Sequence, residues 1–112
     1  MVTHLPHDPA ERLLGLLGLG VRSGRVGIGV EATRAMLQRG EARVVVIASN
    51  ASERAVEKVI ALARGKAVPV LTGPEAVMMG ERLGRPPVMT VAVRDRDLAA
   101  GMLAAMAKPD GR

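Results

Sequence analysis

The sequence predicts an α/β fold, with helices on both faces of a largely parallel or mixed sheet. Helix-like and strand-like hydrophobic patterns alternate along the chain, which is typical of this class. The segment Arg43–Ala48 contains a continuous apolar, mostly β-branched run, and such a run indicates a central strand covered on both faces. At 112 residues the chain has the usual length of one domain. We therefore expect one domain over residues 8–107, preceded by a disordered lead over 1–7 and followed by a frayed tail over 108–112.

The first two helices are predicted from apolar spacing and from their end signals. The first begins at Asp8-Pro9-Ala10-Glu11, which combines an N-cap, a proline at the first helical position and a reciprocal carboxylate. Its glycines at positions 18, 20 and 24 should end it. The second helix spans Gly29 to Arg39, with Gly40 as its C-terminal cap. Its buried face is predicted to contain Ala32, Ala35 and Met36.

Three more helices follow polar caps or a Gly-Pro pair. Asn50 and Ser52 can each cap a third helix, which Gly65 should end. Gly73-Pro74 opens a fourth helix that ends at Leu83-Gly84, and Asp95 or Asp97 caps the last one. The predicted inward residues are Val56, Val59, Ile60 and Ala63 in the third helix and Leu98, Met102 and Met106 in the last.

Four strands lie between these helices. The clearest is Arg43–Ala48, described above. Two shorter strands are predicted at Arg25–Ile28 and Val68–Leu71, and the last strand is predicted at Val88–Val93.

The charge balance favours a polyanion as the partner. Sixteen Lys and Arg against eleven Asp and Glu give a net charge of +5. All but three of these sixteen cations are Arg, whose planar group suits phosphate oxygens and guanine edges. The preference for Arg could equally reflect a GC-rich genome. The chain has no Phe, Tyr or Trp, so we do not expect it to bind single strands by stacking bases on aromatic side chains.

Catalytic and metal-binding chemistry finds little support in the composition. Without cysteine there can be no disulfide, thiolate nucleophile or cysteine metal site. His4 and His7 fall in the predicted lead, where no third metal ligand accompanies them. Helix capping accounts for Asp95 and Asp97 without a catalytic dyad. There is also no apolar run of membrane-spanning length and no signal-peptide pattern. We therefore expect a cytoplasmic protein that is not an enzyme, with no cofactor, no metal, no membrane partner and no small-molecule substrate.

Two glycine-rich segments could approach a phosphate. Residues 18–24 resemble a dinucleotide-binding loop, but they follow a helix instead of a strand, so a helix terminator is the better interpretation. Residues 24–34 are the better candidate, because a glycine-rich turn leads into a helix whose free N–H groups attract anions. Arg25 and Arg34 can add charge-assisted hydrogen bonds there. The alternative is that these arginines only solvate an amphipathic helix.

Several segments occur in an order and spacing similar to those of one known family. They are Leu13-Leu14-Gly15-Leu16, Gly24-Arg25, residues 29–42, Val44 to Ala48, Val68-Pro69-Val70, Met79-Gly80-Glu81-Arg82-Leu83-Gly84 and Val91-Ala92-Val93-Arg94-Asp95. Over about residues 10–106 the chain resembles the L-seven-Ae / L-thirty-e ribosomal protein family, and more narrowly its bacterial YlxQ-type members. The resemblance implies a three-layer α/β/α sandwich with a mixed four-stranded sheet. It also implies binding to structured RNA, above all kink-turns, without a cofactor.

The resemblance further implies an RNA site at the start of the second helix and in the loop near residue 85. In the family that helix starts with Gly-x-Asn-Glu-x-x-Lys, whose side chains reach the sheared G·A pairs of the kink, while the later loop covers a flipped-out base. Here Gly29 matches, but Glu31, Ala32 and Ala35 replace the Asn, Glu and Lys. Together with the glycine-rich turn, the candidate RNA-binding residues are Gly24, Arg25, Gly29, Val30, Glu31, Ala32, Arg34, Ala35, Arg85 and Pro86.

Two functions are compatible with these patterns. The first is recognition of the shape and backbone of folded ribosomal or regulatory RNA, with translation as the setting. The second is a protein-interaction module on the same fold that has lost high-affinity RNA binding, because Ala32 and Ala35 offer no side-chain hydrogen bond. A nucleotide-binding enzyme is a more distant third. We expect the protein to be a monomer.

Overall fold

The computed structural model describes residues 9–107, in which five helices alternate with four strands. The helices are α1 (Pro9–Arg22), α2 (Val30–Gln38), α3 (Glu53–Gly65), α4 (Ala76–Leu83) and α5 (Arg96–Ala107). The strands are β1 (Val26–Ile28), β2 (Val44–Ala48), β3 (Val70–Gly73) and β4 (Thr90–Val93). The predicted order of elements is therefore confirmed. Asp8, His4, His7 and the predicted lead and tail lie outside the described residues.

The four strands form one mixed sheet in the order β1-β4-β2-β3. Strand β4 is antiparallel to both β1 and β2, whereas β2 and β3 are parallel. Every residue of the two inner strands is buried, as expected for strands that are covered on both faces. The predicted mixed four-stranded sheet is confirmed.

Helices cover both faces of this sheet and divide the core into two layers. Successive residues of β2 point to opposite faces. Val44 and Val46 therefore pack in one layer and Val45 and Ile47 in the other. The first layer is completed by residues of α1, α4 and α5, among them Leu13, Leu17, Met79 and Met102. The second is completed by residues of α2 and α3, among them Met36, Leu37, Val56 and Val59. The chain is thus the predicted α/β/α sandwich.

Helix α1 continues through glycines that were predicted to end it. Gly18 and Gly20 are buried within the helix, and only Gly24, with φ +70°, lies beyond its last residue. A Cβ atom on Gly20 would lie 2.6 Å from Val26 Cγ1 and 3.3 Å from Leu98 Cδ1. The prediction was wrong at Gly18 and Gly20. At Gly20 the physical reason is packing, because the missing side chain lets α1 lie close to β1 and α5.

The capping residues differ in part from those predicted. Ser52 caps α3 by accepting a hydrogen bond from the Ala55 N–H at 3.3 Å. Asn50, however, caps α4, because its Oδ1 accepts from the Ala76 N–H at 2.8 Å. The parallel strands β2 and β3 end at the same edge of the sheet, so the loop after β2 reaches the helix after β3. Of the two aspartates considered for α5, Asp95 accepts from the Leu98 N–H at 2.8 Å.

Several boundaries and buried faces also differ from the predictions. Strand β3 starts two residues later than predicted, because its register with β2 pairs Val45 with Val70 and Ala48 with Gly73. The buried residues of α2 are Thr33, Met36 and Leu37, while Ala32 and Ala35 are only half-buried. Strands β1 and β4 begin one and two residues later than predicted, at Val26 and Thr90. Within residues 9–107 no helix has the length and apolar character needed to cross a membrane.

Candidate functional site

A cleft of about 320 Å³ lies between the start of α2 and the loop that joins α4 to β4. Strand β1 pairs antiparallel with β4, so the end of β1 lies beside the start of β4. The helix that follows β1 and the loop that precedes β4 therefore meet at one end of the sheet. The cleft is lined by Ile28, Gly29, Val30, Arg85, Pro86, Pro87, Val88 and Met89. Four of the residues predicted from sequence, Gly29, Val30, Arg85 and Pro86, are thus brought together.

Gly29 holds the start of α2 against strand β4. Its N–H donates to the Thr90 carbonyl at 2.8 Å, and its own carbonyl accepts from the Thr33 N–H at 3.0 Å. Its φ of +101° lies in a region that favours glycine. A Cβ atom at this position would meet nothing within 4 Å, so the constraint is the backbone conformation and not the available space.

Two buried threonines stabilise the same turn from the core side. Thr33 and Thr90 are fully buried, and they are the polar residues found in the core of the described chain. Their Oγ1 atoms lie 2.7 Å apart, and the Thr90 hydroxyl donates to the Gly29 carbonyl at 3.2 Å. Because the Thr90 proton is used in that second bond, Thr33 is the donor in the first. The result is a short hydrogen-bonded chain from α2 through β4 to Gly29.

The first turn of α2 leaves backbone donors available. The N-cap, Gly29, has no side chain that could accept a hydrogen bond. In the described chain, the first N–H of the helix with a backbone acceptor is that of Thr33. Within residues 9–107, the N–H groups of Val30, Glu31 and Ala32 therefore have no protein acceptor. They lie at the positive end of the helix dipole, which is a favourable place for a phosphate or another anionic oxygen.

The loop on the other side of the cleft rests directly on the backbone of α4. Arg85 N–H donates to the Gly80 carbonyl at 2.8 Å, and Val88 N–H donates to the Ala76 carbonyl at 3.0 Å. A Cβ atom on Gly80 would lie 2.7 Å from the Pro86 carbonyl carbon and 2.8 Å from the Arg85 oxygen. Any larger residue at position 80 would push the loop away from the helix. Arg85 itself is exposed, and within residues 9–107 it has no ion-pair partner.

The remaining predicted residues do not line this cleft. Gly24 and Arg25 lie at the opposite end of β1, and Arg25 is about 13 Å from Gly29 at the usual rise per strand residue. The Arg25 Nη1 atom forms an ion pair with Asp95 Oδ1 at 2.9 Å. Arg34 lines a different groove, between α2 and α3.

The three positions that depart from the family pattern differ in their surroundings. Glu31 is exposed, whereas Ala32 and Ala35 are half-buried. Ala32 lies over β1, since a Cβ atom on Gly27 would approach its Cβ to 3.3 Å. Only Glu31 therefore offers a freely accessible polar side chain at the start of the helix.

Thr33, Gly80 and Thr90 shape the site in ways that the sequence patterns do not predict. The two threonines stand at buried positions in a helix and a strand, but threonine is common in strands and gives little signal there. Gly80 belongs to the segment Met79 to Gly84 that resembles the family, yet its contact with the later loop is visible only in three dimensions. No group of three or more potential metal-ligating side chains occurs in the part of the chain that the structure describes.

Comparison with protein families agrees with this architecture. Residues 11–101 match the profile of the ribosomal protein L7Ae/L30e/S12e/Gadd45 family. The chain belongs to this family. The match covers most of the chain, from the first turns of α1 into α5, and it confirms the resemblance inferred from the sequence. No curated protein gives a significant match to the chain.

Two solved structures share the fold of this chain over most of its length. A Bacillus halodurans protein described as having unknown function has a TM-score of 0.81 and 23% identity, over 87% of this chain and 98% of that one. The Giardia lamblia 15.5kD RNA binding protein has a TM-score of 0.75 and 19% identity, over 90% of this chain and 92% of its own. At these identities the similarity establishes a shared fold.

Proposed function

We propose that this protein binds structured RNA without catalysing a reaction, and that the RNA contacts the cleft between the start of α2 and the Arg85–Pro87 loop. One observation carries the proposal: the sheet brings an uncapped helix start to one side of the cleft and, to the other, an exposed arginine that forms no ion pair within residues 9–107. The net charge of +5 suits a polyanion. Family membership and the shared fold with an RNA binding protein support the same function.

The groups around the cleft suit different parts of an RNA. The free N–H groups of the first α2 turn can bind a phosphate or a carbonyl-type base oxygen, and Gly29 allows the RNA backbone to approach closely. Arg85 can pair with a phosphate. The apolar side of the cleft, formed by Pro86, Pro87 and Met89, can cover a base that has left its stack. This last contact needs no aromatic residue.

A kink-turn or a similarly bent RNA is the proposed ligand class, with ribosomal or regulatory RNA in translation as its source. Glu31 can accept from a guanine or cytosine amino group, but Ala32 and Ala35 cannot form side-chain hydrogen bonds. We propose that the RNA is recognised mainly through its shape and backbone, and that fewer bases are read directly than the family motif allows. We also propose that the protein acts as a cytoplasmic monomer.

The test compares three RNAs of equal length: a kink-turn, a plain duplex and an unstructured single strand. We expect the kink-turn to bind most tightly and the single strand most weakly. Affinity should fall steeply between about 50 and 200 mM salt, because phosphate contacts release counterions. Equal affinity for the three RNAs, or an affinity that ignores salt, would contradict the proposal.

A protein-interaction module is the second candidate. It is favoured by two adjacent apolar residues on α4, Val77 and Met78, which are 50% and 47% exposed. Contiguous exposed apolar surface often marks a contact region. Complete absence of RNA binding by the folded protein in the same titrations would favour this candidate over the first.

A further inference from the structure

A second hollow, which we call the α2–α3 groove, lies between these two helices. Its volume is about 450 Å³, and its cationic residues are Arg34, Lys58 and Lys66. Ala61 and Gly65 contribute small residues between the cations. The groove is separate from the cleft, since the two share no lining residue.

The positive charges of this groove have no acidic neighbour among the described residues, since none of the residues that line it carries a carboxylate. Within residues 9–107, none of its three cations forms an ion pair, and the Arg34 Nε atom is buried without a hydrogen-bond partner. The arginines beyond the C-terminal end of α2 are, by contrast, paired with a carboxylate. Glu41 contacts Arg39 and Arg94 at 3.2 and 3.7 Å, and the hydrogen bond from Arg39 lowers the pKa of the Glu41 carboxyl.

The groove continues the surface of α2 that begins at the cleft. Val30 lines the cleft, and Arg34, one helical turn later, lines the groove. Lys58 and Lys66 are eight positions apart on and just after α3, which corresponds to about 12 Å along a helix. Lys66 also lines a neighbouring hollow of about 290 Å³ to which Arg43 contributes. A line of cations therefore leads away from the start of α2.

The lining favours a nucleic-acid backbone over a protein partner. Protein interfaces are usually centred on large apolar or aromatic side chains. Leu62 is a large apolar residue that lines the groove, but it is only partly exposed. The large apolar residues that are exposed in the described chain lie elsewhere, namely Leu19, Val70, Val77 and Met78. Ala61 and Gly65 instead leave room for a sugar-phosphate chain between the cations.

We propose that the α2–α3 groove binds the phosphate backbone of the RNA segment that continues beyond the part held in the cleft. This inference rests on the proposed RNA-binding function, and it adds a second contact surface. The occupant is a strand or stem that is continuous with the bound kink. Its contacts with the groove are electrostatic and do not depend on base sequence.

The test uses a core RNA, which contains only the kink and its shortest stable stems, and an extended RNA with one stem lengthened. The variant Lys58→Ala/Lys66→Ala is compared with the control Arg12→Ala/Arg96→Ala. The control removes the same charge from exposed residues of α1 and α5, which cover the other face of the sheet. Affinities are measured across a salt series, and melting temperatures confirm that both variants are folded.

For the extended RNA we expect the groove variant to lose roughly tenfold or more in affinity, and to lower the salt slope by nearly one unit for each phosphate contact removed. For the core RNA it should behave like the control. Equal losses for the groove variant and the control on the extended RNA would overturn the proposal. A second result would also overturn it: a poly-glutamate peptide binds through Lys58 and Lys66, while the groove variant binds the extended RNA as tightly as the wild type. That result would indicate an acidic protein partner.

Failure of the groove can be distinguished from failure of the cleft. If the wild-type protein binds core and extended RNA equally well, the groove proposal fails and the cleft proposal stands. If it binds the extended RNA through the two lysines and does not bind the core RNA, the cleft proposal fails, and with it the claim that the groove holds the continuation of a cleft-bound segment. Binding of neither RNA overturns both proposals.

Discussion

The hydroxyl groups of Thr33 and Thr90 lie 2.7 Å apart in the core, and they join the first turns of α2 to strand β4. The Thr90 hydroxyl also donates to the Gly29 carbonyl, so the chain of bonds ends at the residue that starts the helix. Helix α2 has no side-chain N-cap. This buried pair is therefore a polar anchor for the helix end that lines the cleft.

We expect Thr90→Val to destabilise the protein by about 1–3 kcal/mol, because it leaves the buried Thr33 hydroxyl without its partner. Val has nearly the same shape, so little packing should be lost. The double change Thr33→Val/Thr90→Val should cost less than the sum of the two single changes, since both polar groups are then removed together. Urea unfolding of the four proteins measures this coupling, and strict additivity would show that the two hydroxyls do not interact.

Gly80→Ala should weaken RNA binding by displacing the Arg85–Pro87 loop, because the added Cβ would overlap the loop backbone. We also expect a loss of stability of about 1–3 kcal/mol, as is typical of overpacking. Gly15→Ala is the matched control. A Cβ at position 15 in α1 would meet nothing within 4 Å, and alanine is favoured in a helix by roughly 0.5–1 kcal/mol. Calorimetry measures the stability of both variants, and RNA titration measures their affinity. Unchanged RNA affinity in folded Gly80→Ala would show that the position of the Arg85–Pro87 loop does not matter for RNA binding.

Arg85→Ala should reduce RNA affinity more than Arg25→Ala does. Both arginines are exposed, but Arg85 lines the cleft while Arg25 pairs with Asp95 at the other end of β1. Loss of one phosphate contact should lower the salt slope by about one unit in Arg85→Ala. An exposed ion pair contributes only about 0–1 kcal/mol, so Arg25→Ala should change the stability little. Equal reductions in affinity for the two variants would mean that RNA also covers the Arg25 end of the sheet.

Restoring the family motif should improve recognition of a kink-turn. We expect the triple change Glu31→Asn, Ala32→Glu and Ala35→Lys to raise kink-turn affinity about tenfold or more, since one well-formed hydrogen bond to a charged group contributes about 1.5–3 kcal/mol. A plain duplex lacks the sheared pairs and should gain only from the added charge. Ala104→Lys, at an exposed position of α5, is the control because it adds the same net charge away from α2. Equal gains for kink-turn and duplex would show that this helix does not face the kink.

Much of the fold could be predicted because the relevant signals are local. The apolar run of β2, the leucine spacing of α1 and the Gly40 cap each depend on neighbours within one or two turns of chain. Strand β2 is buried at every residue, and Gly40 is left-handed with φ +73°, as these patterns predict. The predictions failed where a distant residue decides the outcome. Gly20 lies inside a helix because Val26 and Leu98 pack against it, and Asn50 caps a helix that follows a different strand.

The candidate site shows the same division. By itself the sequence determined the α/β class, the order of elements, the basic charge and the conformationally special glycine at the start of α2. Only the tertiary structure decided which of these residues are neighbours. The pairing of β1 with β4 places Gly29 beside the Arg85 loop, while the length of β1 separates Gly29 from Arg25. The packing of α2 against α3 places Arg34 with Lys58 and Lys66. Local patterns specify whether each segment forms a helix or a strand. Which segments become neighbours depends on strand pairing and on the burial of helix faces, and both involve residues that are far apart in the sequence.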